Sequence, residues 1–362
     1  MEQKLKIRKH AALRRAAKWM LCLAVAAGTL GALVGCRAGT SGAQPRGAAY
    51  FTFFDTVTNL YSYAGDSEQD FADNCRTVET VLETYHRLFD IYHEYEGVTN
   101  LATLNANAGG EALEVAPALT EFLVYAKEMY EATGGEMNVM MGAVLRLWHD
   151  CREQAQEEPG SAQIPGSEEL ARAAEHTDIE ALEIDAAHNL VRIRDPEASL
   201  DVGALAKGYA AERAAQRLIE AGADGYVLDV GGNLRMIGHK AGGGSWVTGI
   251  KDPKDPERYA ARYRLADTSC VTSGNYERFF TVDGVRYHHI IDRDTAMPAA
   301  YFSSVTVITP DSGLADALST ALFCMPYEDG LALAEAFGNV EVLWILPDGS
   351  QYQTPGLKGL AS

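Results

Sequence analysis

The chain has 362 residues, 47% of them hydrophobic and 22% charged, an ordinary globular composition with apolar material for a sizeable core. It holds 31 Lys/Arg against 50 Asp/Glu; seven of the former and one of the latter fall in residues 1–35, leaving 24 against 49 and a net charge of −25 in the remainder. A surface of that sign repels nucleic-acid phosphates and argues against a nucleic-acid partner, although a local site can still take phosphate through a metal ion and backbone N–H groups.

The N-terminus opens on a basic run, Lys4, Lys6, Arg8, Lys9, Arg14, Arg15 and Lys18, followed by an apolar stretch from Trp19 to Val34. This is the layout of a secretory signal over residues 1–35, and the stretch is short of the roughly 20 residues that a membrane span needs. Leu33-Val34-Gly35-Cys36 resembles a bacterial lipobox. Cys36 is therefore the expected lipidation site of an extracytoplasmic protein anchored to the cell membrane. Residues 36–49 are small and polar and read as a flexible tether. The domain proper is expected over 50–350, with 351–362 as a C-terminal tail. Cys75, Cys151, Cys270 and Cys324 show no C-x-x-C spacing, which argues against zinc and for buried free thiols.

Along the domain, Phe51 to Tyr63 alternates loosely and predicts a strand. Helical spacing predicts helices over 67–92 and 117–133, the second opened by Pro117 and stopped by Gly134-Gly135. Residues 152–168, charged and interrupted by Pro159, Gly160, Pro165 and Gly166, read as a surface excursion. Asp201 to Ala221 begins as a loop and becomes a helix. Tyr226 to Val230 reads as a buried strand turned by Gly231-Gly232-Asn233. Asp283-Gly284 between two apolar runs predicts a hairpin. A strand over Val305–Thr309, a helix over 313–325 and a strand over Val340–Leu346 complete the series. Strands outnumber β-α-β alternations, so the expected class is α+β, with mixed or antiparallel sheets and packed helices.

Four segments carry chemistry. Ser199 to Gly208 places Asp201 and Lys207 just before a helix, whose free N–H groups suit anions; the same residues also suit a capped helix start with a solvated lysine. Leu228 to Asn233 runs a strand into Gly-Gly-Asn, which serves either close backbone approach to a ligand or a tight turn. Thr272 to Tyr276 and Tyr287 to Asp292 form the third. His288 and His289, adjacent on a strand, leave opposite faces, so at most one faces a site. In the fourth, Asp316 and Thr320 stand four apart on one helical face, a hard-oxygen edge suited to Mg²⁺, or an Asp favoured by the helix dipole with a back-bonding Thr.

Together and in this order, Asp201-Val-Gly-Ala-Leu-Ala-Lys-Gly-Tyr209, Gly231-Gly-Asn233, Thr272-Ser-Gly-Asn-Tyr276, His288-His-Ile-Ile-Asp292 and Ala315-Asp-Ala-Leu-Ser-Thr-Ala321 resemble the ApbE family, the FAD:protein FMN transferases, from about Phe51 to Trp344. The resemblance implies an ApbE-like fold and a divalent ion, usually Mg²⁺, held by Asp316, Thr320 and a backbone carbonyl of the Asp201 loop, at Ala204. It implies FAD as substrate, bound by Asp201, Lys207 and Ile290, and nearer the N-terminus by Phe54, Tyr92, Glu136, Met137 and Asn138. His289 would be the base, with FMN passed to a Thr or Ser hydroxyl and AMP released. Family acceptors include flavin subunits of membrane redox complexes. The sequence departs from the family's usual text at Arg293 (for Pro), Ala296 (for Gly), Asn138 (for Asp), Phe54 (for Met) and Ala204 (for Gly). The rival readings are an Mg²⁺-dependent FAD pyrophosphatase and a non-catalytic flavin-binding lipoprotein. A transporter's solute-binding lipoprotein would show two lobes of repeated β-α-β order, which is absent here.

Overall fold

The computed structural model describes residues 45–362. The expected signal, Cys36 and most of the tether lie outside the described residues. In chain order, the strands β1 (Arg46–Tyr50) and β2 (Thr58–Ser62) precede α1 (Glu68–Phe89), α2 (Leu101–Ala106), β3 (Leu113–Glu114), α3 (Pro117–Ala132), α4 (Gly142–Glu157) and α5 (Ser167–Ala174). There follow β4 (Leu182–Asp185), β5 (Leu190–Ile193), α6 (Ala206–Glu220), β6 (Tyr226–Val230), β7 (Asn233–Ile237), β8 (Trp246–Asp252), β9 (Asp255–Leu265) and β10 (Ser269–Gly274). The hairpin β11 (Phe279–Val282) and β12 (Val285–His288), then β13 (Ser304–Thr309), α7 (Ser312–Phe323), α8 (Tyr327–Phe337), β14 (Glu341–Ile345), β15 (Gln351–Gln353) and α9 (Leu357–Leu360) complete the chain.

The main sheet has eight strands in the order β1-β2-β6-β7-β10-β13-β14-β15. That order follows the chain and every ladder is antiparallel, so the sheet is a meander with helices and hairpins inserted between its strands. Alternation along the strands builds two cores. Val305, Val307, Val342 and Trp344 face the helices. Ile308, Leu343, Ile345 and Cys270 face the β8–β9 ribbon through Trp246, Ile250, Tyr263 and Leu265. The class is α+β as expected.

Local chemistry sets most boundaries. Ser67 caps α1 by accepting from the Asp70 N–H, and Val78, Leu82, Tyr85 and Phe89 bury one face. Gly134 and Gly135, at φ of 63° and 90°, end the run after α3. Three expectations are revised. Phe51–Tyr63 is not one strand: Phe54 and Asp55 turn the chain at φ of 53° and 50°, and only Thr58–Ser62 pairs with β6. β1 begins at Arg46, inside the stretch read as tether, and β15 and the fully buried Leu357 lie beyond residue 350, so the fold continues through the stretch read as a tail. The charged stretch 152–168 starts as helix, because α4 runs on to Glu157. Cys75, Cys151, Cys270 and Cys324 are free thiols, the last two buried.

Candidate active site

The site is assembled where α6, α7 and β7 meet. Asp316, one turn into α7, is only 4% exposed. Its Oδ2 accepts from the Gly208 N–H at 2.8 Å and from Asn233 Nδ2 at 3.4 Å, with Lys207 Nζ 3.8 Å away. The Gly208 donor is one of the first N–H groups of α6, which have no partner within the helix. Glycine is required here by close approach: a Cβ would run into the Asp316 side chain and the Ser312 carbonyl. Burial pushes the Asp316 carboxyl up, against the opposing pull of Lys207 and the donated hydrogen bonds. One turn further along the same face, Thr320 Oγ1 lies 3.3 Å from Ser273 Oγ, which lies 2.8 Å from Ser319 Oγ.

The loop before α6 folds on itself. Asp201 donates its N–H to the Val139 carbonyl at 2.9 Å and accepts from the Gly203 N–H at 2.9 Å. Lys207 Nζ donates to the Gly203 carbonyl at 3.3 Å, closing the loop around the half-buried Ala204. Burial raises the Asp201 carboxyl too, opposed by the Gly203 hydrogen bond and by His149, Arg152 and Arg278.

The two histidines part company as the strand geometry predicts. His288 turns inward: its Nε2 donates to the Ala299 carbonyl at 2.9 Å and its Nδ1 accepts from the Ile290 N–H at 3.3 Å. Those partners fix a neutral tautomer, and burial lowers its pKa. Its role is to hold the turn after β12. His289 leaves the other face, with Nδ1 3.2 Å from the Arg278 carbonyl. A carbonyl can only accept, so Nδ1 carries the hydrogen and Nε2 keeps its lone pair. Burial, then Arg278, His288, Lys207 and Arg152, push its pKa down to about 3. Tyr92, 59% exposed, sets its ring 5.4 Å from that of His149, whose Nδ1 is 2.8 Å from Arg152 Nη2. Burial first, and then the Asp201 carboxylate, push the Tyr92 hydroxyl up to about 12.

Tyr92, Asp201, Ala204, Lys207, His289, Asp316 and Thr320 thus form one region. Three basic residues not foreseen from the sequence join it: His149, Arg152 and Arg278. Phe54 packs its ring edge-on to His86 at 5.7 Å, and its N–H donates to His86 Nδ1 at 3.3 Å. Met137 and Ile290 are buried in the core. Asn138 is used locally, donating to the Thr177 carbonyl at 2.9 Å and accepting from the Met140 N–H at 2.9 Å. Glu136 lines a separate cavity of about 600 Å³ with Gly134, Asp292, Tyr301, Cys324 and Met325. Burial raises its carboxyl, and Arg293 Nε stands 3.5 Å from it. Arg293 also donates to the Gly134 carbonyl at 2.9 Å, joining the segment after α3 to the turn after β12. Asp292 caps that turn by accepting from the Asp294 and Thr295 N–H groups. Ala296 adopts φ of 54°, a left-handed conformation that glycine takes more readily.

Among the described residues no cluster of three or more His, Cys, Asp and Glu is arranged to hold a metal. The Asp316 region fits a hard cation differently. It offers one buried carboxylate whose protein partners are N–H groups and an ammonium, with a Thr hydroxyl one turn away. Mg²⁺ sites built on one or two carboxylates and completed by substrate phosphates have this donor set.

The site sets hard-oxygen donors beside Lys207, with Arg152 and Arg278 around a neutral histidine, a charge pattern suited to phosphate-bearing substrates. The chain belongs to the ApbE family, whose family model matches residues 54–344. It is 36% identical over 263 residues to the FAD:protein FMN transferase of Treponema pallidum, covering 68% of this chain and 71% of that protein. It is 30% identical over 297 residues to the FAD:protein FMN transferase of Vibrio cholerae, covering 80% and 85%. Among solved structures, the ApbE protein of Thermotoga maritima aligns at a TM-score of 0.77 with 28% identity, covering 88% of this chain and all of that one.

Proposed function

We propose that this protein is an Mg²⁺-dependent FAD:protein FMN transferase, anchored through lipidated Cys36 on the extracytoplasmic side of the membrane and acting on flavin-carrying subunits of membrane redox complexes. The observation that carries the reading is His289, with Nδ1 on the Arg278 carbonyl and Nε2 left free, among three cations of which Lys207 stands 3.8 Å from Asp316, in a chain of this family. Asp316, Thr320 and the Ala204 carbonyl would hold Mg²⁺, which offsets pyrophosphate charge and polarises the phosphorus under attack. Lys207, Arg152 and Arg278 bind and orient the pyrophosphate. An acceptor Thr or Ser hydroxyl gives its proton to His289 Nε2 as its oxygen bonds to the FMN-side phosphorus. The bond from that phosphorus to the bridging oxygen breaks, AMP leaves with the electron pair, and FMN stays on the acceptor as a phosphoester. A base held at about 3 is weak. Burial is the larger cause of that depression and persists in the complex, but the pyrophosphate's negative charge offsets the part that comes from Arg278, Lys207 and Arg152, so substrate binding raises His289 part of the way back.

The test incubates the detergent-solubilised full chain with FAD, MgCl₂ and an acceptor flavoprotein domain. Flavin fluorescence of the denatured acceptor and AMP release are measured with and without EDTA, alongside Asp316→Ala. A fluorescent acceptor with equimolar AMP, both lost with EDTA or the variant, is the expected result. Free FMN and AMP without labelled acceptor would make the protein a pyrophosphatase. FAD bound but intact throughout would make it a flavin-binding lipoprotein.

A further inference from the structure

Asp316 is held by donors from two other elements, Gly208 on α6 and Asn233 on β7. One repeat away, the same three elements are tied again. Four residues along α6 from Gly208, Glu212 Oε2 accepts from the Ser312 N–H at 3.0 Å and from Arg235 Nε at 3.1 Å. Ser312 is four residues before Asp316 on α7, and Arg235 is two residues after Asn233 on β7, so each partner lies on the same face as its counterpart in the upper tie. Glu212 and Arg235 are 8% and 6% exposed and Ser312 is fully buried. Gln216 Nε2 supports the other Glu212 oxygen at 3.4 Å, and Arg235 also reaches the Met236 carbonyl and, at 3.5 Å, Asp267. The planar guanidinium and the carboxylate fix direction as well as distance, which a hydrophobic contact between the same elements does not.

We infer that Glu212 and Arg235 are positioning residues: they lock the registers of α6, α7 and β7, so that the Asp316 carboxylate presents its oxygens to a divalent cation at a fixed geometry. Neither residue bonds to Asp316 or Thr320 directly. The inference rests on the metal-binding reading of Asp316 above. A carboxylate placed by a rigid frame binds a small ion that demands near-ideal geometry, and a shift of α7 along its axis by a fraction of a turn spoils that.

The experiment measures Mn²⁺ binding by electron paramagnetic resonance with ADP present as a pyrophosphate that carries no FMN to transfer. Thermal denaturation is recorded in parallel on the full chain, Glu212→Gln, Arg235→Lys, and the double variant Glu212→Gln/Arg235→Met. Glu212→Gln is expected to weaken Mn²⁺ binding at least tenfold, and Arg235→Lys by less, because the charge pair survives without the guanidinium plane. The double variant removes the buried unpaired charge. Its melting temperature is therefore expected to recover toward wild type while its Mn²⁺ affinity stays low. Recovery of affinity together with stability, or unchanged affinity in Glu212→Gln, would overturn the inference and leave the pair a stabilising contact only. Should Glu212→Gln fail to fold, the double variant decides alone. Absence of Mn²⁺ binding in the wild-type chain would instead sink the metal reading itself.

Discussion

Gly208→Ala sets two physical effects against each other. Alanine is worth up to about 1 kcal/mol over glycine in a helix interior and less in the first turn, where Gly208 stands, so propensity alone still predicts a protein no less stable. The structure predicts the reverse. The new Cβ would meet the Asp316 side chain and the Ser312 carbonyl, both on α7. Overpacking of this kind costs about 1–3 kcal/mol. Pushing α6 off α7 also stretches the 2.8 Å bond from the Gly208 N–H to the Asp316 carboxylate, and a hydrogen bond to a charged group is worth about 1.5–3 kcal/mol. The net is a loss of about 1.5–5 kcal/mol, or a melting temperature lower by at least about 2 °C at this chain size. Chemical denaturation of the variant at fixed pH measures it, and AMP release from FAD at saturating MgCl₂ should fall with it. A melting temperature equal to or above wild type would refute the claim that α6 and α7 are in contact at this point.

Two further outcomes follow from the electrostatics. Because burial and then the nearby cations hold free His289 at about 3, kcat/KM for FAD, which reports the free enzyme, should show no acid limb near the ordinary histidine value of about 6.5. The kcat profile, which reports the substrate complex, should show its limb at higher pH, and coincident limbs would contradict the charge cancellation. The sign for stability is fixed too: with the folded pKa below the unfolded one, the His289 contribution is present above about pH 6.5 and is lost as pH falls toward 3. Arg293→Ala severs the tie from the turn after β12 to Gly134 and Glu136; at this partly exposed position the stability loss should stay within about 1 kcal/mol. Chemical denaturation measures it, and a loss well beyond that would refute the reading of this tie as a partly solvated contact.

What the sequence disclosed was what is local. Asp316 and Thr320 are read as neighbours because helical period alone puts them there, and the opposite senses of His288 and His289 follow from strand period alone. β6 and the β11–β12 hairpin are legible for the same reason: a buried run closed by Gly231-Gly232, and Asp283-Gly284 with both residues at positive φ. The long ribbon β8–β9 escapes, because its outward face mixes Val247 and Tyr259 with charges such as Lys251 and Arg264, which blurs the alternation, and its buried apolar residues make sense only against the far face of the meander.

Arg152 escapes for a different reason. Its neighbours in sequence are charged and lead to Pro159, which is the composition of a solvated loop, yet α4 carries it to within reach of Asp201 and His289. No periodicity distinguishes an arginine facing bulk water from one facing a site; only the packing of α4 beside the β11–β12 hairpin, with Trp148 against Tyr287 at 5.8 Å, decides which way that face of the helix looks. The same holds for Glu212 and Arg235. They stand 23 residues apart and read singly as surface charges, and they become a buried pair only once α6 lies across the meander. A charge pair of this kind leaves no mark in hydrophobic patterning, because desolvating it is unfavourable and is offset only by partners from other elements. Candidate site residues close in sequence to a glycine-rich turn or a helix start are therefore visible early, while the cations and ion pairs that surround them are properties of the tertiary fold.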